Sequence, residues 1–170
     1  MTKNLGTQAL TTEHLILRRA TFEDASAMYH NWANDPEVTK YLTWPPHASI
    51  EVTKEILQSW IDSYSNDESY QWMIVPKDIM KPIGTISGLH PDKSLSTIEI
   101  GYCIGKKWWH QGITSEALQA VLHFFFEECE YQHITARHKQ QNPHSGDVMK
   151  KCGMTYDHTS DSMVYYHMDK

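Results

Sequence analysis

The densest chemistry in the chain lies in Lys106-Lys107-Trp108-Trp109-His110-Gln111-Gly112-Ile113-Thr114-Ser115-Glu116-Ala117-Leu118. A strand pattern ends just before this stretch, a polar loop carries one glycine, and a helical pattern begins after it. Such a junction aims backbone N–H groups and the positive end of a helix dipole into the loop, which suits a phosphate or pyrophosphate. Gly112 lets the backbone approach an anion without a Cβ in the way. No Walker-type GxxxxGK run and no GxGxxG is present, so neither a nucleoside triphosphate loop nor a dinucleotide fingerprint is indicated.

Three other positions carry groups that chemistry can use. Glu99 sits in a run where Ile98, Ile100, Tyr102 and Ile104 alternate with Thr97, Glu99, Gly101 and Cys103, so its carboxylate faces away from the isoleucines. It fits a general base acting through water, or else a solvated or salt-bridged strand carboxylate. Asn142 before Pro143 reads as a helix N-cap and first-turn pair. Ser145 follows in that first turn. The eleven histidines are scattered, with no HExxH and no Cys/His zinc spacing, so no metal site is expected.

These residues need elements to hold them. Leu15 to Arg18 reads as a strand, and Thr21 with Asp24 as a capping box opening a helix towards Asn34. Asn34-Asp35-Pro36 and Trp44-Pro45-Pro46 read as breaks, followed by a helix capped by Ser49 and running from about Glu51 to Tyr64. Tyr70 to Val75, Ile83 to Leu89 and Thr97 to Ile104 read as strands. Ala117, Leu118, Val121, Leu122 and Phe125 form one apolar stripe, giving a helix from Thr114 to about Glu128. A strand over Ile134 to Arg137, a helix from Pro143 to Cys152 and a strand over Met163 to Met168 complete the order, with a further short strand at Met154 to His158. Trp60, Trp72 and Phe124-Phe125-Phe126 read as core. This order implies an α/β fold on a mostly antiparallel sheet, in one domain over residues 1–170.

Composition narrows the partners. With 170 residues, 40% hydrophobic and 21% charged, the chain is long enough for one substantial core. A net charge of −6 argues against a nucleic-acid binder and permits a cationic acceptor. Cys103, Cys129 and Cys152 form no CxxC pair, and no secretory signal or membrane span is read, so a reducing cytoplasmic setting is expected. Monomer and homodimer both remain open.

The loop resembles the acetyl-coenzyme A motif of GNAT enzymes, R/Q-x-x-G-x-G/A, from Trp109 through Gly112 to Thr114. Trp109 stands for the usual Arg or Gln, and Thr114 for the small residue. The form W-x-Q-G-I-x-S-E-A-L is similar to the branch that acetylates the N-termini of ribosomal proteins. Leu15-Ile16-Leu17-Arg18 with Asp24-Ala25, Ile83-Gly84-Thr85-Ile86, Ile98-Glu99-Ile100-Gly101-Tyr102, and Asn142 to Ser145 with Lys150 to Met154 resemble further motifs of that branch, in the same order.

The resemblance implies a mixed sheet, splayed between the family's fourth and fifth strands and flanked by about four helices. It implies acetyl-coenzyme A as cofactor, with pyrophosphate against Gln111, Gly112, Ile113, Thr114 and Ser115, and with Trp109 and His110 in the same loop. Backbone groups of Tyr102, Cys103 and Ile104 would pair with the pantetheine arm, and Asn142 would contact it. The tyrosine acid found in many members seven residues after this asparagine is replaced by Met149. Ser145 would steady the leaving thiolate, or is simply a first-turn serine. Tyr41, Thr43, Trp44 and Pro45 fall where the family shapes its acceptor pocket, with Glu99 beside it. The acceptor implied is an amine, a protein or peptide N-terminus first. A small amine, or a coenzyme A-binding module without turnover, are the other readings.

Overall fold

The computed structural model describes residues 1–170. Eight strands form one sheet in the order β1-β2-β3-β4-β5-β6-β8-β7. They are β1 (Leu10–Thr11), β2 (Leu15–Arg18), β3 (Tyr70–Pro76), β4 (Gly84–Asp92), β5 (Thr97–Ile104), β6 (His133–Lys139), β7 (Thr155–Ser160) and β8 (Met163–Asp169). Every neighbouring pair is antiparallel except β5 and β6, which run parallel. Five α-helices accompany them: α1 (Ala25–Met28), α2 (Pro36–Thr39), α3 (Ile50–Ser63), α4 (Ile113–His123) and α5 (Pro143–Lys151).

Strand alternation builds a core on each face of the sheet. Tyr70, Trp72 and Ile74 of β3 join Ile98 and Ile100 of β5 beneath α4 and α5, whose Leu118, Val121 and Met149 complete that larger core. Met73 and Val75 point the other way, onto Met28, Trp32 and Leu57 from the α1 and α3 side. Glu99 lies on that second face, as the period of two requires.

Several expectations shift in detail. The Thr21–Asp24 capping box is present and opens a 3₁₀ turn, Phe22–Asp24, then α1. A π-helical turn, Tyr29–Ala33, continues it, so the expected helix is real but irregular. A second π turn, Phe124–Glu128, ends α4. Three consecutive phenylalanines cannot share one α-helical stripe, and the wider turn buries all of them, at 1%, 0% and 6% exposure. Asp35 accepts a hydrogen bond from Glu37 N–H and starts α2, where only a turn was expected. Ser49 takes the N-cap position of α3 but makes no side-chain capping bond. Trp60 is half-buried rather than core.

Candidate active site

The β5–β6 ladder runs only from Thr97↔His133 to Ile100↔Ala136. Beyond it β5 stays with β4 as far as Ile104↔Gly84, while β6 stays with β8 as far as Lys139↔Met163. The β6-facing edge of Gly101 to Ile104 is therefore left without a strand partner. A cavity of about 550 Å³ opens there, lined by Tyr102, Cys103 and Ile104 along one wall. The expected splay is present, between β5 and β6.

One end of the cavity is the start of α4. Gly112 occupies the N-cap in the left-handed region, φ 79°, which an L side chain adopts only with strain. The first helical bond runs from Glu116 N–H to Gly112 O at 3.1 Å, so the N–H groups of Ile113, Thr114 and Ser115 have no partner within the helix. All three residues line the cavity, as do His110 and Gln111. Gln111 turns its side chain away, its Nε2 donating to Lys107 O at 3.2 Å, and leaves the backbone to face the cavity. Trp109, in place of the usual Arg or Gln, donates its indole N–H to Ile104 O at 2.9 Å and closes the head of the open β5 edge.

The aim of α4 is fixed from behind. Glu116 accepts hydrogen bonds from the Thr12 hydroxyl and from His14 N–H, and its Oε1 lies 2.8 Å from His14 Nδ1. The carboxylate hydrogen bond, then its charge, raise the His14 pKa. Burial pushes the Glu116 pKa up, but the bonds from Thr12 and His14 outweigh it and leave it lowered.

The opposite wall is α5. Asn142 holds its N-cap position and lines the cavity, yet makes no side-chain capping bond, so the capping role expected for it is corrected. Its backbone, φ −120° and ψ 70°, lies outside the usual cap geometry. Ser145 Oγ–H donates to Tyr102 Oη at 3.0 Å, and Tyr102 Oη–H donates back to Ser145 O at 2.9 Å. Burial raises the Tyr102 phenol pKa. Gly146 lets α5 lie close on β6 and β8, because a Cβ there would stand 2.7 Å from His138 Nε2 and 3.1 Å from Tyr166 Oη. Met149 is 1% exposed and belongs to the core, so no acid can act from that position.

Four expected site residues lie elsewhere, with Thr43 and Pro45 absent from the cavity lining along with Trp44 and Glu99. Trp44 is absent from the cavity lining; it packs towards the α1–α3 core and lies 5.2 Å from the His47 ring. Glu99 is also outside the lining, and its Oε2 lies 3.4 Å from Arg137 Nε, the salt-bridged alternative. Tyr41 does line the cavity, its ring 6.4 Å from that of Trp109. Residues not foreseen include Leu42, Lys151 and His144, whose ring lies 4.3 Å from that of His110. Lys151 lies in the last turn of α5, and only the packing of α5 beside α4 brings it to Gly112. Lys139 was likewise unforeseen. From β6 its Nζ donates to Leu42 O at 2.9 Å and Lys40 O at 3.2 Å, spanning the cleft.

Comparison with known proteins agrees with this geometry. The profile of the acetyltransferase (GNAT) domain matches residues 14–155. The chain is 32% identical over 145 residues to the uncharacterized N-acetyltransferase YoaA of Bacillus subtilis, covering 85% of this chain and 81% of that protein. It is 30% identical over 113 residues to the ribosomal-protein-serine acetyltransferase of Escherichia coli, covering 66% and 62%. Among solved structures, the ribosomal L7/L12 α-N-protein acetyltransferase in complex with coenzyme A superimposes with a TM-score of 0.82 at 18% identity, over 95% of this chain and 98% of that one. That last likeness speaks for the fold. The cleft between β5 and β6, the anion-ready start of α4 and the family match together make the chain a member of the acetyltransferase (GNAT) family.

Proposed function

We propose that the protein transfers an acetyl group from acetyl-coenzyme A to the α-amine of a protein or peptide N-terminus, in a ternary complex. One observation carries the reading. One cavity joins an unpaired strand edge, three orphaned N–H groups at a helix start, and the amide and hydroxyl of Asn142 and Ser145. Its size is within the usual range for a ligand pocket, and its chemistry runs from anion-binding at α4 to hydrogen-bonding along β5. Gln111 to Ser115 would hold the pyrophosphate, with His110 and Lys151 beside it. Backbone groups of Tyr102, Cys103 and Ile104 would pair with the amide-bearing arm and polarise the thioester carbonyl, and Ser145 would face the sulfur.

The α-amine assignment rests on the named relatives and on proton chemistry. An α-amine titrates near 7.7–8.0 and is partly neutral at pH 7.4, whereas freeing a lysine near 10.4 costs about 4 kcal/mol. Glu99, tied to Arg137 and outside the cavity lining, suits the easier acceptor. Tyr41 and Leu42 border the acceptor side. The three free cysteines fit a reducing cytoplasm, and no helix is long and apolar enough to cross a membrane.

A thiol-release assay tests the reading. A lysine-free peptide with an open N-terminus should be acetylated, and the same peptide with a blocked N-terminus and an internal lysine far more slowly. Preference for the blocked peptide would overturn the assignment, and activity on polyamines or aminoglycosides alone would move it to a small-amine enzyme. Binding without any turnover would leave a coenzyme A-binding module.

A further inference from the structure

The Tyr102–Ser145 contact joins two elements that share no backbone pairing. Tyr102 comes from the half of β5 that has parted from β6, and Ser145 from the first turn of α5. Its two bonds use both protons. Ser145 gives its hydroxyl proton to the phenol oxygen, and the phenol gives its own to the Ser145 carbonyl. In this arrangement the serine has no proton to offer the cavity. Rotation about two C–O bonds changes that without moving a heavy atom. The phenol O–H then points to Ser145 Oγ, and the serine O–H points into the cavity.

We propose that Tyr102 is a positioning residue for acetyl transfer, turning Ser145 into a polarised donor to the departing sulfur. The inference rests on the proposed seating of that sulfur beside Ser145. A hydroxyl that accepts a hydrogen bond donates a stronger one, and the gain is larger away from bulk water. The step itself balances simply. The amine nitrogen bonds to the carbonyl carbon, the C–S bond breaks, and its electron pair stays on sulfur. Ser145 and Tyr102 donate hydrogen bonds and keep their protons. The thiolate is protonated by the proton that the acceptor nitrogen loses, carried by water. Burial holds the phenol neutral well above its ordinary range, so it acts as a standing donor across the working pH. The pair thus steadies the departing sulfur by hydrogen bonding alone, in a site where position 149 is filled by a buried methionine and supplies no acid.

The test compares wild type, Tyr102→Phe, Ser145→Ala and the double variant. Ultraviolet difference absorbance of the thiolate, followed against pH with coenzyme A bound, reads the sulfur directly and needs no turnover. Bound coenzyme A should carry more thiolate at neutral pH than free coenzyme A. Ser145→Ala should abolish that excess, and Tyr102→Phe should cut it at least threefold. In acetyl transfer, Tyr102→Phe should lower kcat about tenfold with both KM values within twofold. The double variant should be no slower than Ser145→Ala alone. If Ser145→Ala loses the thiolate excess while Tyr102→Phe keeps it along with wild-type kcat, the positioning role is wrong and the seating of sulfur stands. If neither variant alters the thiolate, the seating itself is wrong. A Tyr102→Phe protein that loses coenzyme A affinity and thermal stability together, with the thiolate excess intact, would show only a packing role and overturn the proposal.

Discussion

Glu99 and Arg137 face each other across the two parallel strands just where those strands part, carboxylate oxygen to Nε at 3.4 Å. The ladder pairs Glu99 with Thr135, so Arg137 reaches back from two residues further on. A hydrogen bond to Tyr165, then the Glu99 charge, raise the Arg137 pKa. On the proposed function, the pair sits at the rim of the acceptor side. A carboxylate engaged by a guanidinium has fewer lone pairs to offer a water, so Glu99→Gln should reduce kcat by less than about a hundredfold, the low end of general-base effects. Steady-state kinetics against an α-amine peptide measure this, and a larger loss would make Glu99 the principal base. Arg137 is partly exposed, so Arg137→Met should cost no more than about 1 kcal/mol in denaturant unfolding.

Gly112 should be intolerant of a side chain for a backbone reason. A Cβ there would meet only Lys151 Nζ, at 3.9 Å, so space is not the obstacle. The left-handed conformation is, at roughly 1–2 kcal/mol for an L residue. Gly112→Val should weaken acetyl-coenzyme A binding at least tenfold by calorimetry while the protein stays folded. Unchanged affinity in a folded variant would remove this loop from the binding site.

The His14–Glu116 pair sets a pH window on stability. The His14 pKa is raised on folding, so its contribution is full below about 6.5 and fades as pH rises through the folded value. The Glu116 pKa is lowered, so its contribution is present above about 4.3 and fades as pH falls through its folded value. The melting-temperature difference between wild type and His14→Gln should therefore be greatest near pH 5–6 and shrink towards pH 9. A difference that grows with pH would contradict the assignment.

Lys139 fastens the 40–42 turn across the cleft through two carbonyl oxygens. Lys139→Met should free that turn, which hydrogen exchange at Tyr41 and Leu42 would register as faster. Both residues line the cavity, and on the proposed function they border the acceptor, so KM for the peptide should rise several-fold with acetyl-coenzyme A affinity nearly unchanged. Equal exchange rates in the two proteins would show that the turn holds without Lys139.

Where one strong periodic signal ruled, the sequence was readable. The alternation from Thr97 to Ile104 marked β5 to the residue, and the apolar stripe of α4 located the loop before it. Most of the cavity lining followed from that loop, from β5 and from the start of α5. Other features depended on partners far along the chain. The two-residue β1 exists only because Leu10 and Thr11 pair with Leu17 and Ile16. Asn142 looked like a cap by type, but cap geometry is set by the backbone. Trp44 followed its proline turn towards α3 instead of the cavity, and Lys139 and Lys151 reach the site through tertiary packing alone.

The short β5–β6 ladder has a consequence for how the molecule holds together. Four residue pairs join the five-stranded half of the sheet to the β6-β8-β7 half, and the strands then diverge. A ligand bound along the open β5 edge would bridge that seam, adding its own hydrogen bonds and contacts to both banks. Unfolding should then begin at the seam when the cleft is empty and be deferred when it is filled. Thermal stability would rise with the logarithm of coenzyme A concentration once the dissociation constant is passed. Pulled from its two ends, the protein should part between β5 and β6 first, with the cosubstrate acting as a mechanical clasp.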